Sequence, residues 1–401
     1  MPSRDVVILS AARTPIGKYG GAFRDVHPAE LGAVAARAAI ARAGISPADV
    51  EDVWIGHGRQ AGSGPNPGRQ VGHRAGIPHS SPAQTINKAC ASGLQAIVSA
   101  AQSILLGDAD VVLAGGIESM SRMPYLIDAI DARWGHRMGN FTLVDAMYRD
   151  GFQCPLSNMI MGETAEVLAR QYGITREQSD CFALESQRKA RAAMDEGRFT
   201  REIAPVTVTV KGQSTIVDRD EHPRGDTTME SLRTLPPVFG EVDGQPGIIT
   251  AGSSSGITDG GAALVLASSD AARARGLKPR ARILGWASAG VDPRIMGIGP
   301  VPAVEKLTAR IGIKPDEFDL VELNEAFAAQ VLSVLRDVPI SSDRLNVNGG
   351  AIALGHPIGC TGARIVVTLL HELERRDAKR GLATLCVSGG MGMALAIERC
   401  A

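Results

Sequence analysis

Aromatic residues are scarce in this chain of 401 residues: three Trp, four Tyr and eight Phe amount to 4%. Apolar residues nevertheless reach 44%, so any core must be filled by Ala, Val, Ile and Leu. An excess of either charge is missing too, with 42 basic against 43 acidic residues. That balance excludes nucleic acid or an anionic membrane as the main partner and leaves room only for a local basic patch facing a phosphorylated ligand. The six cysteines (Cys90, Cys154, Cys181, Cys360, Cys386 and Cys400) contain no C-x-x-C pair. Such scatter fits neither a disulfide framework nor a metal site and suits a reducing compartment. Long hydrophobic runs are lacking as well: no stretch approaches the ~20 apolar residues of a membrane span. Val6-Val-Ile-Leu9 is too short, and too near Asp5, for a signal peptide, and reads as a first strand. The C-terminal Glu398-Arg-Cys-Ala401 matches no retention, peroxisomal or prenylation signal. A soluble, cytoplasmic protein is expected.

What is present is alternation. The length predicts two or more domains. Residues 6–10 read as a strand and 29–42 as a helix, with Pro28 ahead and Gly44 behind. Residues 53–56 read as a short strand. After Cys90, Leu94, Ile97, Val98, Ala101, Ile104 and Leu105 repeat at helical spacing until Gly107, and Val111-Val-Leu-Ala-Gly-Gly116 follows as a strand. The pattern predicts βαβ units around a sheet. It breaks from about residue 119 to 162, a stretch rich in Met, Gly, Asn and Asp. Helices are then expected at 163–172 and from the capping box Thr175-Arg-Glu-Gln178 to about Glu196. A strand at 203–210 and a loop at 218–247 complete an inserted region. Regular alternation returns at Ile248, and 281–290 opens a last α/β section. Cys90-Ala-Ser-Gly93, helix and strand are echoed by Gly359-Cys-Thr-Gly362, a helix at 363–373 and Ala383-Thr-Leu-Cys-Val-Ser-Gly-Gly390. This predicts a duplicated half.

Chemistry-bearing residues gather at strand ends. Cys90 precedes a helix, where unpaired N–H groups and the dipole favour thiolate; it reads equally well as a small buried cysteine in a turn. Asn324 stands between a strand and a helix, either as a site amide or as a helix cap. His356 lies in the glycine-dense Asn348–Gly362 loop and Cys386 at a strand end before Gly389. Each also reads as ordinary packing: a hydrogen-bonded turn histidine and a core thiol. Glycines there permit positive φ and close approach of N–H groups to a ligand, and ligands favour that edge of α/β sheets.

The chain resembles the thiolase family over nearly its whole length. The motifs are Ala12-Arg-Thr-Pro-Ile-Gly-Lys18, Asn87-Lys-Ala-Cys90-Ala-Ser-Gly93, Ala114-Gly-Gly-Ile-Glu-Ser-Met120, Asn324-Glu-Ala-Phe327, Gly349-Gly-Ala-Ile-Ala-Leu-Gly-His-Pro357 and Cys386-Val-Ser-Gly-Gly-Met-Gly392. The resemblance implies an α/β thiolase fold, five layers αβαβα built from two similar halves. These would be residues 1–120, completed by 248–270, and residues 271–401, with 121–247 as a loop domain. A homotetramer or homodimer is implied.

It also implies an acetyl-CoA C-acyltransferase working by ping-pong on coenzyme A thioesters. Cys90, deprotonated by His356, would take the acyl group, and Cys386 would move the α-proton of a second acetyl-CoA for a Claisen condensation. The reverse is thiolysis of a 3-ketoacyl-CoA. His356 and a water held by Asn324 would line one oxyanion hole, and the N–H groups of Cys90 and Ser388 the other. Glu325 would orient the site. Arg224, Ser231 and Ser255 would meet coenzyme A, or serve only as a solvated arginine and turn serines. Coenzyme A and acyl-CoA would be substrates, with no permanently bound cofactor. Acetoacetyl-CoA is the expected substrate; the alternatives are longer-chain 3-ketoacyl-CoA thiolysis and a non-catalytic acyl-CoA binder. A ketoacyl synthase is disfavoured by Cys386 in its glycine-rich turn. Three positions depart from the family pattern. Ser388 replaces a glycine and would strain a positive φ, Ser253 replaces an asparagine, and Ile160-Met161 stands where acetoacetyl-specific members carry His-Met.

Overall fold

The computed structural model describes residues 5–400; residues 1–4 and 401, the outer ends of the two expected halves, lie outside the described residues. The first half contains β1 (Val6–Arg13), α1 (Pro28–Arg42), β2 (Asp52–His57), α2 (Pro67–Arg74), β3 (Ala83–Ile86), α3 (Ser92–Leu106), β4 (Val111–Ser119) and, much later in the chain, β5 (Thr258–Ser268). Between β4 and β5 come the helices α4 (Met161–Gln171) and α5 (Arg176–Asp195) and several short hairpins. One hairpin pairs Val206–Val210 with Gln213–Val217; the sequence reading ends its strand at 210 and passes over the Lys211-Gly212 turn, where both residues have positive φ. The second half contains β6 (Ala281–Gly290), α6 (Pro300–Ile311), β7 (Leu320–Leu323), α7 (Ala328–Asp337), α8 (Ile358–Arg375), β8 (Arg380–Val387) and β9 (Met391–Arg399).

The two halves repeat one topology. In the first, β2 lies parallel to β3 and β4, while β4–β5 and β5–β1 are antiparallel. In the second, β7 runs parallel to β8 and bridges Leu345 in parallel, while β8–β9 and β9–β6 are antiparallel. The halves join where β1 meets β6 through Val7↔Arg282 and Ile8↔Ala281.

Strand periodicity sorts the layers. In β5, Ala262, Leu264 and Leu266 face a core shared with α3 and α8, while Ala263, Val265 and Ala267 face one shared with α1. In β9, Leu395 and Ile397 join that same central core and Ala394 and Ala396 face α6. The order is therefore α1/α2, sheet, α3/α8, sheet, α6/α7. Strands covered on both faces need apolar residues at every position, which explains their continuous hydrophobic runs.

The helix segment Ala89–Leu106 corrects one expectation. Its 18 residues, with mean hydropathy 1.5, are long and apolar enough to cross a membrane by length and composition. It is the central-layer helix, enclosed by both sheets and α8. Sixty-one per cent of the segment is buried, and that burial accounts for its apolar run; Leu105, read as part of the buried face, is 39% exposed.

The echo noticed in the sequence is where the two halves touch. A Cβ on Gly93 would lie 2.7 Å from Ala363 N, and one on Gly362 would lie 2.4 Å from Leu94 N. Only glycine at both positions lets the two helix starts cross this closely. As a result α8 and β8 pack against the Ala89–Ala91 turn.

Candidate active site

Cys90 sits in a single 3-10 turn, Ala89–Ala91, ahead of α3. Local polar groups build the turn: Ala89 N–H donates to Asn87 Oδ1 at 3.0 Å, and Ser92 Oγ donates to Ala89 O at 2.6 Å. Ala89 is held at φ 44°, a left-handed conformation that costs an alanine about 1–3 kcal/mol. The thiol does not follow the helix-start expectation. Burial pushes the Cys90 thiol above its ordinary range, and the Arg59 charge and the N–H groups of Ser388 and Cys90 only partly pull it back. Desolvation of the charged form outweighs the field of one helix end.

The N–H of Ser388 is thus among the groups that favour charge on the Cys90 sulfur. The strain foreseen at Ser388 does not arise, because positive φ falls instead on Gly389 and Gly390, at 87° and 83°. Cys386 is fully buried among Met296, Ala326, Met161 and Phe327. Burial first, and then the charge of Cys90, push its thiol far above the ordinary range. Of the Ile160-Met161 pair, the shared Met161 belongs to this apolar cluster, whereas the differing residue, Ile160, is half-buried outside it. At the other departure, Ser253 closes its own turn, with N–H to Thr250 Oγ1 at 3.2 Å.

His356 is positioned at both ring nitrogens. Thr361 Oγ donates to Pro357 O at 3.0 Å and lies 2.6 Å from His356 Nδ1. A hydroxyl has one proton, and the Pro357 carbonyl can only accept it, so Nδ1–H must donate to Thr361. Nε2 is left as a lone pair, with Asn324 Nδ2 donating to it at 3.5 Å. Burial, followed by the charges of Arg364 and Arg59, lowers His356 to about 3, so the ring is neutral. The backbone is fixed as well: His356 N–H donates to Gly256 O at 2.9 Å. Asn324 is no helix cap, since α7 starts after Phe327; its Oδ1 is buried with no protein partner.

Glu325 ties three segments together. It accepts from Ser186 Oγ of α5 at 2.6 Å, Asn346 Nδ2 at 2.8 Å and Ile352 N–H at 3.2 Å. Burial raises its pKa while those donors lower it.

Arg224 and Ser231 line one cavity of about 240 Å³ with Gln187, His222 and Asp226. Ser231 Oγ also closes the Thr228 capping turn, donating to Thr228 O at 2.8 Å. Ser255 lies outside that cavity but beside the loop that carries His356: its N–H donates to Ala326 O, and the next residue, Gly256, holds His356.

Four residues escaped the sequence reading. Thr361 was visible only as part of a repeated Gly-x-Thr-Gly string. His222, in the same tetrapeptide as Arg224, packs on Gly256 and bonds Ala353 O through Nδ1 at 2.7 Å. Arg59 borders Cys90, and His57 Nε2 faces Glu118 Oε1 at 3.0 Å beneath the site. Among the described residues no cluster of three or more metal-ligating side chains occurs.

The chain matches the family model "Thiolase, N-terminal domain" over residues 6–270 and "Thiolase, C-terminal domain" over 277–399. It is 50% identical over 396 residues to the acetyl-CoA acetyltransferase of Cupriavidus necator, covering 98% of this chain and 99% of that one. The solved acetyl-CoA acetyltransferase of Bacillus anthracis superposes with a TM-score of 0.96 at 45% identity, covering 99% of both chains. The human mitochondrial 3-ketoacyl-CoA thiolase, solved in complex with CoA, gives 0.94 at 43% identity over 99% of this chain and 98% of that one.

Proposed function

The chain belongs to the thiolase family, and on that premise we propose a residue-by-residue course for its reaction. It is an acyltransferase that condenses acyl-CoA with acetyl-CoA and, in reverse, cleaves 3-ketoacyl-CoA with coenzyme A. Cys90 is the nucleophile. It rests as a thiol and gives its proton to His356 Nε2 as it attacks the thioester carbonyl, because the Thr361 hydrogen bond keeps that nitrogen unprotonated; the carbonyl–sulfur bond of the thioester then breaks, and coenzyme A leaves as a thiol with that proton. The N–H groups of Cys90 and Ser388 stabilise the tetrahedral oxyanion.

In the second half-reaction Cys386 removes the α-proton of acetyl-CoA, and the carbanion attacks the acyl carbon on Cys90. A thiol held so far up is a strong base once ionised and a poor one to ionise. With Cys90 acylated, no thiolate can form there to raise Cys386 further. The enolate oxygen is held by a water on Asn324, whose unpartnered Oδ1 supports that role; His356, with its proton on Nδ1, lines the same hole without donating to it. Glu325 positions the loop that carries His356.

What supports this reading is a half-buried thiol, Cys90, whose charge would be felt by the buried thiol of Cys386, together with a neutral histidine whose Nδ1 is held by Thr361. Arg224 and Ser231, with Ser255 deeper in, receive coenzyme A as a substrate rather than a resident cofactor. Residues 121–247 form a loop domain over the halves 1–120 with 248–270, and 271–401. The chain acts as a homotetramer or homodimer in the cytoplasm; Trp134 and Met138, 79% and 90% exposed, support a surface that assembles.

Acetoacetyl-CoA is the substrate we assign. Thiolysis of 3-ketoacyl-CoAs of graded chain length by wild type and Cys90→Ala tests this. Turnover should be greatest for acetoacetyl-CoA and vanish in the variant; a maximum at long chains would shift the reading to fatty-acid breakdown. No turnover at any length would sink it.

A further inference from the structure

His57 and Glu118 lie at the ends of two neighbouring parallel strands, β2 and β4, and both are wholly buried. His57 Nε2 stands 3.0 Å from Glu118 Oε1. Neither atom, nor His57 Nδ1, has a partner in hydrogen-bond geometry. Other buried carboxylates of this fold meet arginine: Glu202 meets Arg13 and Glu322 meets Arg364. Among the described residues Glu118 forms an ion pair with no cation but His57. A neutral imidazole placed so would leave three buried polar atoms unmatched and one buried charge unopposed, which is costly in a protein interior. Attraction between opposite charges needs no particular angle, so an imidazolium accounts for the close approach.

Both residues hold the segments that carry the site. Glu118 Oε2 accepts from Gly359 N–H at 2.9 Å, in the first turn of α8 just beyond His356. A Cβ on Gly359 would lie 2.8 Å from His57 Cα and 2.5 Å from Gly58 N, so α8 starts directly on the end of β2. The carbonyl of Gly58 accepts from Asn87 Nδ2 at 3.1 Å, and Asn87 Oδ1 accepts from Ala89 N–H at 3.0 Å in the Cys90 turn. The Cys90 turn and the start of α8 therefore hang from one pair of strand ends. The charge of Glu118 also opposes ionisation of Cys90. It is felt at Cys360 and Asp259 as well, and that of His57 at His27; Arg59 acts on Cys90 with the opposite sign.

We propose that Glu118 and His57 are a positioning pair for the first half-reaction. Glu118 fixes the start of α8, and with it His356, relative to the Cys90 turn. His57 carries the positive charge that keeps this carboxylate from opposing the Cys90 thiolate as it forms. The pair rests on the thiolase reading, in which Cys90 must ionise as it attacks.

The test follows alkylation of Cys90 by iodoacetamide against pH, read at the Cys90 peptide by mass spectrometry. His57→Gln leaves the Glu118 charge uncompensated, so the midpoint should rise by about one pH unit, the order of effect of one charge across a protein interior. Without its carboxylate a buried imidazole gives up its proton, so Glu118→Gln removes both charges together and should leave the midpoint within about 0.3 unit of wild type. The double variant should do the same, a return that loss of packing alone does not predict. A His57→Gln midpoint that does not rise, or a double variant as shifted as His57→Gln, overturns the proposal. If His57→Gln does not fold, Glu118→Gln decides: an unmoved midpoint upholds the charge balance, and a shift refutes it. Positioning is read from the acylation burst with acetoacetyl-CoA. Glu118→Ala has no acceptor for Gly359 N–H and should slow the burst by about tenfold or more, whereas Glu118→Gln should recover most of the rate. Equal rates in these two variants refute the role of that bond. A wild type without a burst, whatever its alkylation profile, overturns the thiolase reading instead.

Discussion

Replacing Thr361 by valine would change the shape of the site little and its proton arrangement a great deal. The wild-type hydroxyl accepts Nδ1–H of His356 at 2.6 Å, which leaves the Nε2 lone pair free for the Cys90 proton. In the variant that buried N–H has no acceptor, at a cost of about 1–3 kcal/mol. The ring can relieve the cost by moving its proton to Nε2, but the nitrogen that must act as base is then already protonated. Either outcome removes between about 1 and 3 kcal/mol from attack by Cys90, a fall in kcat/KM of roughly 5- to 150-fold at 1.36 kcal/mol per tenfold. Steady-state thiolysis of acetoacetyl-CoA measures the fall, and the rate of Cys90 alkylation by iodoacetamide at neutral pH should drop with it. Thr361→Ser keeps the oxygen and should stay within a few-fold of wild type. The tautomer reasoning is refuted if Thr361→Val stays within twofold of wild type. It is equally refuted if the serine variant, folded by near-UV circular dichroism, loses as much as the valine.

Three further outcomes follow from the same geometry. Cys386→Ser should still form the acyl-Cys90 species in a single-turnover burst while condensation collapses; joint loss of both half-reactions would remove the separate base role. Glu325→Ala leaves the buried donors of Ser186, Asn346 and Ile352 without their acceptor. At about 1–3 kcal/mol for each buried group, unfolding by urea should show a loss of at least about 3 kcal/mol, and a loss below 1 would contradict the tie. His356 and His371 are both lowered to about 3, chiefly by burial. The unfolded chain binds a proton at each near pH 6.5 and the folded chain does not, so stability must fall as pH drops below 6.5 and level off near 3. The slope approaches about 1.4 kcal/mol per pH unit for each histidine. Urea midpoints between pH 6.5 and 5 should record it, and His371→Gln should remove part of the slope; a flat profile for wild type counts against both assignments.

What the sequence disclosed and what it hid divide along one physical line. Period-two and period-3.6 patterns report which faces are buried, and glycines report where backbones must pass closely. Hence β1, α1, the helix after Cys90, the echo at Gly362 and the strand-end positions of Asn324 and Cys386 could be read beforehand, whereas His356, also read at a strand end, lies between the helix Ala351–Leu354 and α8. Quantities that depend on side chains meeting across the fold could not. Thr361 sets the tautomer only because α8 begins one turn beyond His356, and Arg59 resembles any loop arginine until Gly151 closes over it.

Cys90 shows the consequence most sharply. Its place at a helix start is a local fact, and it argued for a thiolate. The crossing of α3 and α8 at Gly93 and Gly362 is a long-range fact, and it buries the thiol enough to reverse the sign of the shift. The same crossing brings the segment after His356 against the Cys90 turn. The burial that disfavours a resting thiolate is thus inseparable from the packing that brings the proposed base to the Cys90 turn, which is why the proposed mechanism has Cys90 ionise only as it attacks.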